Sequence, residues 1–152
     1  MSKIIFSLLI LAVFSENGFA QETQYDSVYA SKLGADEYGM KQYVLAFLKS
    51  GKVRSESQEK AQELQMEHLR NITKMAEDGV LVLAGPFMDD GEIRGIYIFD
   101  VKTIEEAQRL TETDPAIRAG VLEMELHPWY GSAALIELNK LHLKVQKKSF
   151  DE

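Results

Sequence analysis

Val80 to Asp100 reads VLVLAGPFMDDGEIRGIYIFD, two apolar runs joined through the Asp90-Gly91 corner. Asp-Gly between strand-like runs is a strong hairpin signal, because a tight turn needs positive φ and these residue types tolerate it. The second arm has no polar face. Alternation sends Ile96 and Ile98 to one side and Tyr97 and Phe99 to the other, so both surfaces of the ribbon need cover. The neighbouring segments have to supply it.

Upstream, Gly79 stands where a helix would stop on a left-handed residue, and Ser55 with Gln58 three positions later fits a capping box. The span between them is expected to form one long helix. Its inner stripe is Ala61, Leu64, His68, Ile72 and Met75, flanked by Leu69 and Ala76. A histidine therefore stands in the middle of the buried face. Before that helix, Tyr43 to Leu48 is a continuous apolar run rich in strand formers, ended by Ser50-Gly51, and reads as a first buried strand.

Downstream, Thr103 with Glu106 makes a second capping box, and Ile104, Ala107 and Leu110 mark the inner face of a shorter helix. Pro115 disfavours helical geometry at Asp114 and stops that helix. Asp114-Pro115 then reads as an N-cap followed by proline at the first position of a single turn closed by Gly120. Val121 to Trp129 follows as a fourth strand. Leu122, Met124 and Leu126 take one face, Glu123, Glu125 and His127 the other, and Pro128 marks a strand end or edge.

The order is strand, helix, strand, strand, helix, strand. A right-handed crossover in each strand-helix-strand unit places both helices on one face of a four-stranded antiparallel sheet, an α+β architecture. Two helices cover one face only. With the first strand and the second hairpin arm apolar on both faces, the open face is expected to be buried, most simply by the same face of a second copy in a homodimer. His127 and Trp129 share a strand face and would lie at that seam or at a pocket rim.

The flanks divide the chain further. Met1-Ser2-Lys3 is a short positive start, Ile4 to Phe14 is apolar but too short for a stable bilayer span, and Gly18-Phe19-Ala20 offers small residues for cleavage. Residues 1–20 therefore read as a signal peptide cut after Ala20, giving a secreted or periplasmic protein with no membrane attachment after cleavage. An uncleaved N-terminal anchor is the alternative. Residues 21–40 lack either period and read as a mobile arm carrying Tyr25, Tyr29 and Tyr38. The domain is then 41–131 and the tail 132–152. In the tail, Ala134 to Val145 suits a helix slightly better than a strand, and Lys147 onward reads as frayed.

Composition narrows the function. The chain has 17 basic and 24 acidic residues and a net charge of −7, and losing Lys3 and Glu16 with the signal leaves that charge unchanged. Phosphate backbones and anionic lipid need clustered Lys and Arg, so nucleic acid is not an expected partner. There is no cysteine, which excludes disulfides, thiolate metal sites and lipoprotein anchoring. Histidines at 68, 127 and 142 do not have metal-ligand spacing, and no nucleophile motif or phosphate-binding glycine loop occurs. Neither a metal nor a cofactor is expected.

Several stretches together resemble the YCII-related family of dimeric α/β-barrel proteins. They are EHLRNITKMAEDG around His68, AGPF at Ala84 to Phe87, DDG at Asp89 to Gly91, RGIYIF from Arg94, TDPAIRAG at Thr113 to Gly120 and HPWYG at His127 to Gly131. The resemblance spans about residues 42 to 131 and omits the signal, the arm and the tail. It implies a ferredoxin-like βαββαβ fold, pairing of two copies through their sheets, and an active site built on one histidine and one aspartate, here His68 and Asp114. The chemistry assigned within the family lies near elimination from chlorinated hydroquinone-type rings, and related barrels include muconolactone isomerases and small cofactor-free monooxygenases.

Each candidate has a plainer reading. A lone histidine on an apolar helix face is commonly a core residue satisfied by a carbonyl, and Asp114 is an N-cap whether or not it does anything else. Together they make chemistry available. Backbone N–H groups and the dipole at a helix N-terminus favour a carboxylate's charged form, and such a carboxylate against an imidazole would hold one tautomer and leave the other nitrogen as a base. Gly85, Pro86 and Phe87 could line a substrate pocket or only end a strand. Arg94 could clamp a substrate carboxylate or stay solvated. The resulting expectation is a cofactor-free lyase or isomerase acting on a small cyclic or aromatic molecule, against a non-catalytic dimeric module that binds a small ligand. On the first reading His68→Ala cuts turnover by roughly 10²–10⁴ with little change in thermal midpoint.

Overall fold

Caps and turn residues set the boundaries of the elements, and the computed structural model describes residues 24–149. The proposed export signal lies outside the described residues. In the arm, a short helix α1, Ser27–Leu33, precedes the first strand. Asp26 caps it by accepting the Val28 and Tyr29 N–H groups, and Gly34 closes it at φ 69°. This corrects the expectation that residues 21–40 lack regular structure. Only Leu33 of this helix is buried, so no apolar stripe betrays it.

Strand β1, Met40–Ser50, is followed by helix α2, Gln58–Glu77. The N-cap of α2 is Ser57, not Ser55, its hydroxyl accepting the Lys60 N–H at 3.2 Å. Backbone pairing delays the helix. Gly51 N–H bonds Val121 O and Val53 N–H bonds Gly120 O, so the chain is still extended two residues before the expected cap. The approach is close enough that a Cβ on Gly51 would lie 2.1 Å from Gly120 O. From Leu64 onward the inner stripe of α2 is as expected, whereas Ala61 overhangs and is exposed. Gly79 ends the helix at φ 74°.

The hairpin forms from β2, Leu81–Pro86, and β3, Ile93–Phe99, paired antiparallel. Helix α3, Ile104–Thr111, carries the Thr103/Glu106 capping box, and α4, Pro115–Arg118, carries Asp114 as N-cap. Strand β4, Leu122–Ser132, completes an antiparallel sheet in the order β2-β3-β1-β4. Pro128 sits on β4, an edge strand, where a missing N–H costs no ladder bond. The fold is therefore α+β, the ferredoxin-like βαββαβ arrangement.

The two faces of the sheet are covered differently. Val44, Ala46 and Leu48 of β1 and Tyr97 and Phe99 of β3 pack with Met75 of α2 and Ala107 of α3 into the main core. Tyr43, Val82 and Ile98 form a second cluster on the opposite face. There the cover comes from the chain's own C-terminal segment. A 3-10 turn, Ala133–Glu137, lays Leu135 and Ile136 against that cluster. Helix α5, Leu138–His142, is pinned by Asn139, whose side-chain amide donates to Leu81 O at 2.7 Å. The helical reading of the tail thus holds, and the tail supplies part of the cover that was expected most simply from a second copy. What the tail leaves is the end of the face bearing Phe47 and Ile96, both half-buried.

Candidate functional site

Helical spacing puts His68 one turn beyond Leu64, on the face of α2 that meets the sheet. It is 5% exposed. Its Nδ1 lies 2.5 Å from Asp114 Oδ2. Asp114 is wholly buried, and its other oxygen, Oδ1, accepts the Ala116 N–H at 2.8 Å as the cap of α4. One carboxylate therefore starts a helical turn and grips the imidazole.

A third group completes the arrangement. The Tyr97 hydroxyl lies 3.3 Å from His68 Nε2, and Tyr97 is 2% exposed. Burial pushes the Tyr97 phenol well up, with the negative charge of Asp114 adding to the shift. It stays protonated and is a donor. A carboxylate can only accept, so the imidazole proton belongs on Nδ1, facing Asp114, and the Nε2 lone pair accepts from Tyr97. Every polar atom of the ring has a partner. The two bonds are unequal, because the aspartate contact is short and charge-assisted whereas the tyrosine contact is at the long end of the range.

The frame around the histidine is held from one turn further along α2. Asn71 donates to Thr113 Oγ1 at 2.9 Å, and Thr113 Oγ1 donates to Leu110 O at 2.7 Å, which ties α2 to the corner preceding Asp114.

The remaining candidate residues lie elsewhere. Gly85 pairs with Ile96, on the face of the sheet opposite Tyr97. Pro86 pairs with Gly95 at the end of β2, and Phe87, 47% exposed, continues into the loop with its N–H on Arg94 O. Arg94 is exposed, and its guanidinium donates to Gly91 O at 3.4 Å. It is also the residue skipped where the pairing of β3 with β1 shifts register. His68 and Asp114 are thus joined directly, while none of these four makes a hydrogen bond to either.

The YCII-related domain family matches residues 44–130. The chain belongs to the YCII-related family. No curated protein matches it. The matched span of this YCII-related chain contains α2, the hairpin, α3, α4 and nearly all of β4, and so all three residues of the hydrogen-bonded chain. It leaves out α1, the start of β1 and the C-terminal cover of the sheet.

Tyr97 is the member that the sequence pattern had not brought forward. Alternation placed it beside Phe99 on one side of the ribbon, and the structure turns that side toward the stripe containing His68. A buried tyrosine hydroxyl needs a partner, and a histidine across the core was the available signal. The depth of the site also changes one expectation. Removing the imidazole with His68→Ala would leave Asp114 as a buried carboxylate without its partner, so that substitution cannot leave stability untouched.

Proposed function

We propose that this YCII-related domain carries out acid–base chemistry on a small cyclic or aromatic molecule, as a lyase or isomerase, with side chains supplying the proton transfers. The observation that carries the reading is the Asp114–His68–Tyr97 chain. Asp114 fixes the proton on Nδ1 and stabilises the imidazolium that forms when Nε2 takes a proton. Tyr97 holds Nε2 through the weaker of the two bonds, which an incoming acidic group on a substrate would replace. The preference for a ring-shaped substrate rests on the family resemblance.

One observation favours a second reading, a dimeric module that binds a small ligand without turnover. Two cavities, of about 810 and 330 Å3, open on the surface, and none of His68, Asp114 and Tyr97 lines either. A fully satisfied, closed polar chain also serves simply to specify how α2, α4 and the sheet pack. The two readings separate in a single experiment. Small molecules co-purifying with the mature protein are identified by mass spectrometry and incubated with it in D2O, beside a panel of cyclic ketones and hydroxylated rings. Deuterium uptake or elimination lost in His68→Asn supports the enzyme. Saturable binding that survives that substitution, with no exchange, supports the module.

We further infer that the protein is exported, loses residues 1–20 and pairs with a second copy through the part of the open face that the tail leaves half-buried. Phe47 stacks edge-on to His127 there at 5.5 Å, and Glu125 bridges Lys49 and His127 beside them. A mixed apolar and charged patch of this kind suits a self-complementary two-fold contact. Native mass spectrometry of the exported protein is expected to give twice the mass of a chain beginning at Gln21. A single-chain mass at micromolar concentration would remove the dimer, and a retained leader would remove the cleavage.

A further inference from the structure

The segment that covers part of the open face changes character where it leaves the sheet. Between Glu137 and Asp151 it reads LNKLHLKVQKKSF, four lysines and no acid in a chain of net charge −7. The chain-wide balance that speaks against anionic partners is therefore reversed here. A basic cluster acts within a Debye length of roughly 8–10 Å, so its own charge counts for more than the total.

Helix α5 docks by a polar side chain. Asn139 gives its amide to Leu81 O, and helical bonding continues past His142, with Leu143 N–H on Asn139 O and Gln146 N–H on His142 O. At that spacing Leu141, Lys144 and Val145 fall on one side, turned away from Asn139. The exposures agree. Leu141, Leu143 and Val145 are 52%, 68% and 79% exposed, whereas Asn139 and Gln146 are half-buried. A surface helix normally presents the reverse, apolar residues inward and polar residues out. One exposed hydrophobic residue is ordinary; three within five positions are not.

The charges among them are available. Lys140 pairs with Glu137 at 3.1 Å, while the exposed Lys144, Lys147 and Lys148 ammonium groups have no partner among the described residues. Neither cavity includes any residue of this segment, so no small molecule has a seat here. A nucleic acid backbone would use the lysines and leave Leu141 and Val145 in water. An anionic bilayer surface uses both, because the ammonium groups meet lipid phosphates while the apolar side chains reach the boundary between headgroups and acyl chains.

We propose that residues 138–148 are a peripheral contact surface for anionic phospholipid, with Lys144, Lys147 and Lys148 on the headgroups and Leu141 and Val145 set between them. No described helix is long and apolar enough to cross a membrane, so the contact is a reversible one at the surface. It shares no residue with the Asp114–His68–Tyr97 chain and stands independently of the acid–base reading.

Flotation of the mature protein with vesicles tests this, one set of pure phosphatidylcholine and one of equal parts phosphatidylcholine and phosphatidylglycerol. At low ionic strength the protein is expected to float with the anionic vesicles and not the neutral ones, and high salt should release it. Lys144→Gln, Lys147→Gln and Lys148→Gln combined should weaken anionic-vesicle binding roughly 10²-fold. Leu141→Ser with Val145→Ser should weaken it roughly tenfold. Lys32, Lys52 and Lys102 are exposed lysines elsewhere on the chain, and replacing all three by Gln matches the change in net charge but should cost less than about threefold. Failure to float with anionic vesicles overturns the proposal, as does equal flotation with neutral ones or an equal loss in the Lys32, Lys52 and Lys102 variant. Undiminished vesicle binding in the tail-lysine variant overturns it too, and a fall of that variant's native mass to a single chain would then give the surface to a second copy.

Discussion

Asp114→Ala is expected to lower the unfolding free energy by about 3–5 kcal/mol, the usual cost of removing one member of a buried pair. The residue has two roles at one point. Its Oδ2 satisfies the His68 Nδ1–H at 2.5 Å, and its Oδ1 caps α4 through Ala116 N–H. Alanine leaves the buried imidazole N–H without an acceptor and removes a cap that is itself worth about 1 kcal/mol. Helix α4 is one turn long, Pro115–Arg118, so no further intrahelical bonding compensates. Asp114→Asn should cost less, roughly 1–3 kcal/mol. Its side-chain oxygen can keep the Ala116 cap while its amide now donates to the ring, forcing the proton onto Nε2 and the Tyr97 hydroxyl into the role of acceptor. Urea unfolding with an unchanged slope measures both effects. If Asp114→Ala stays within about 0.5 kcal/mol of wild type, a range typical of surface substitutions, the buried pair contributes nothing in solution.

His68→Asn carries the second large effect, a loss of roughly 10²–10⁴ in turnover of the substrate identified by co-purification. Asparagine is the informative replacement because its amide nitrogen lies near the position of Nδ1 and can still donate to Asp114. The nitrogen that would act as base has no counterpart. Stability should therefore fall less than in His68→Ala, where the carboxylate loses its partner altogether. Full turnover in His68→Asn would assign the histidine to packing, and the acid–base reading would go with it.

Much of the frame was legible from local chemistry. The Asp90-Gly91 corner, the Thr103/Glu106 box, Gly79 and the Asp114-Pro115 corner act within a few residues of themselves, so short patterns suffice to read them. Alternation in IYIF assigned Tyr97 and Phe99 to one face and Ile96 and Ile98 to the other, as the two core clusters have it. What was missed depends on contacts distant in sequence. Helix α1 buries a single residue and stands on the Asp26 cap and the Gly34 stop. Ser57 displaces Ser55 as N-cap because residues 51 and 53 are held by 121 and 120. The tail's place on the sheet depends on Leu135 and Ile136 meeting a cluster some forty to ninety residues earlier, and on Asn139 finding the Leu81 carbonyl. Tyr97 went unnoticed for the same reason, since the value of its hydroxyl lies in a histidine on another element.

That histidine gives the most direct test. Nitrogen-15 NMR of the mature protein, with His68 assigned through its loss in His68→Asn, reports which ring nitrogen carries the proton. The account predicts a neutral ring protonated at Nδ1, with Nε2 bare and hydrogen-bonded, and a switch to the Nε2–H form in Asp114→Asn. A neutral ring protonated at Nε2 in the wild type, unmoved by Asp114→Asn, would contradict it.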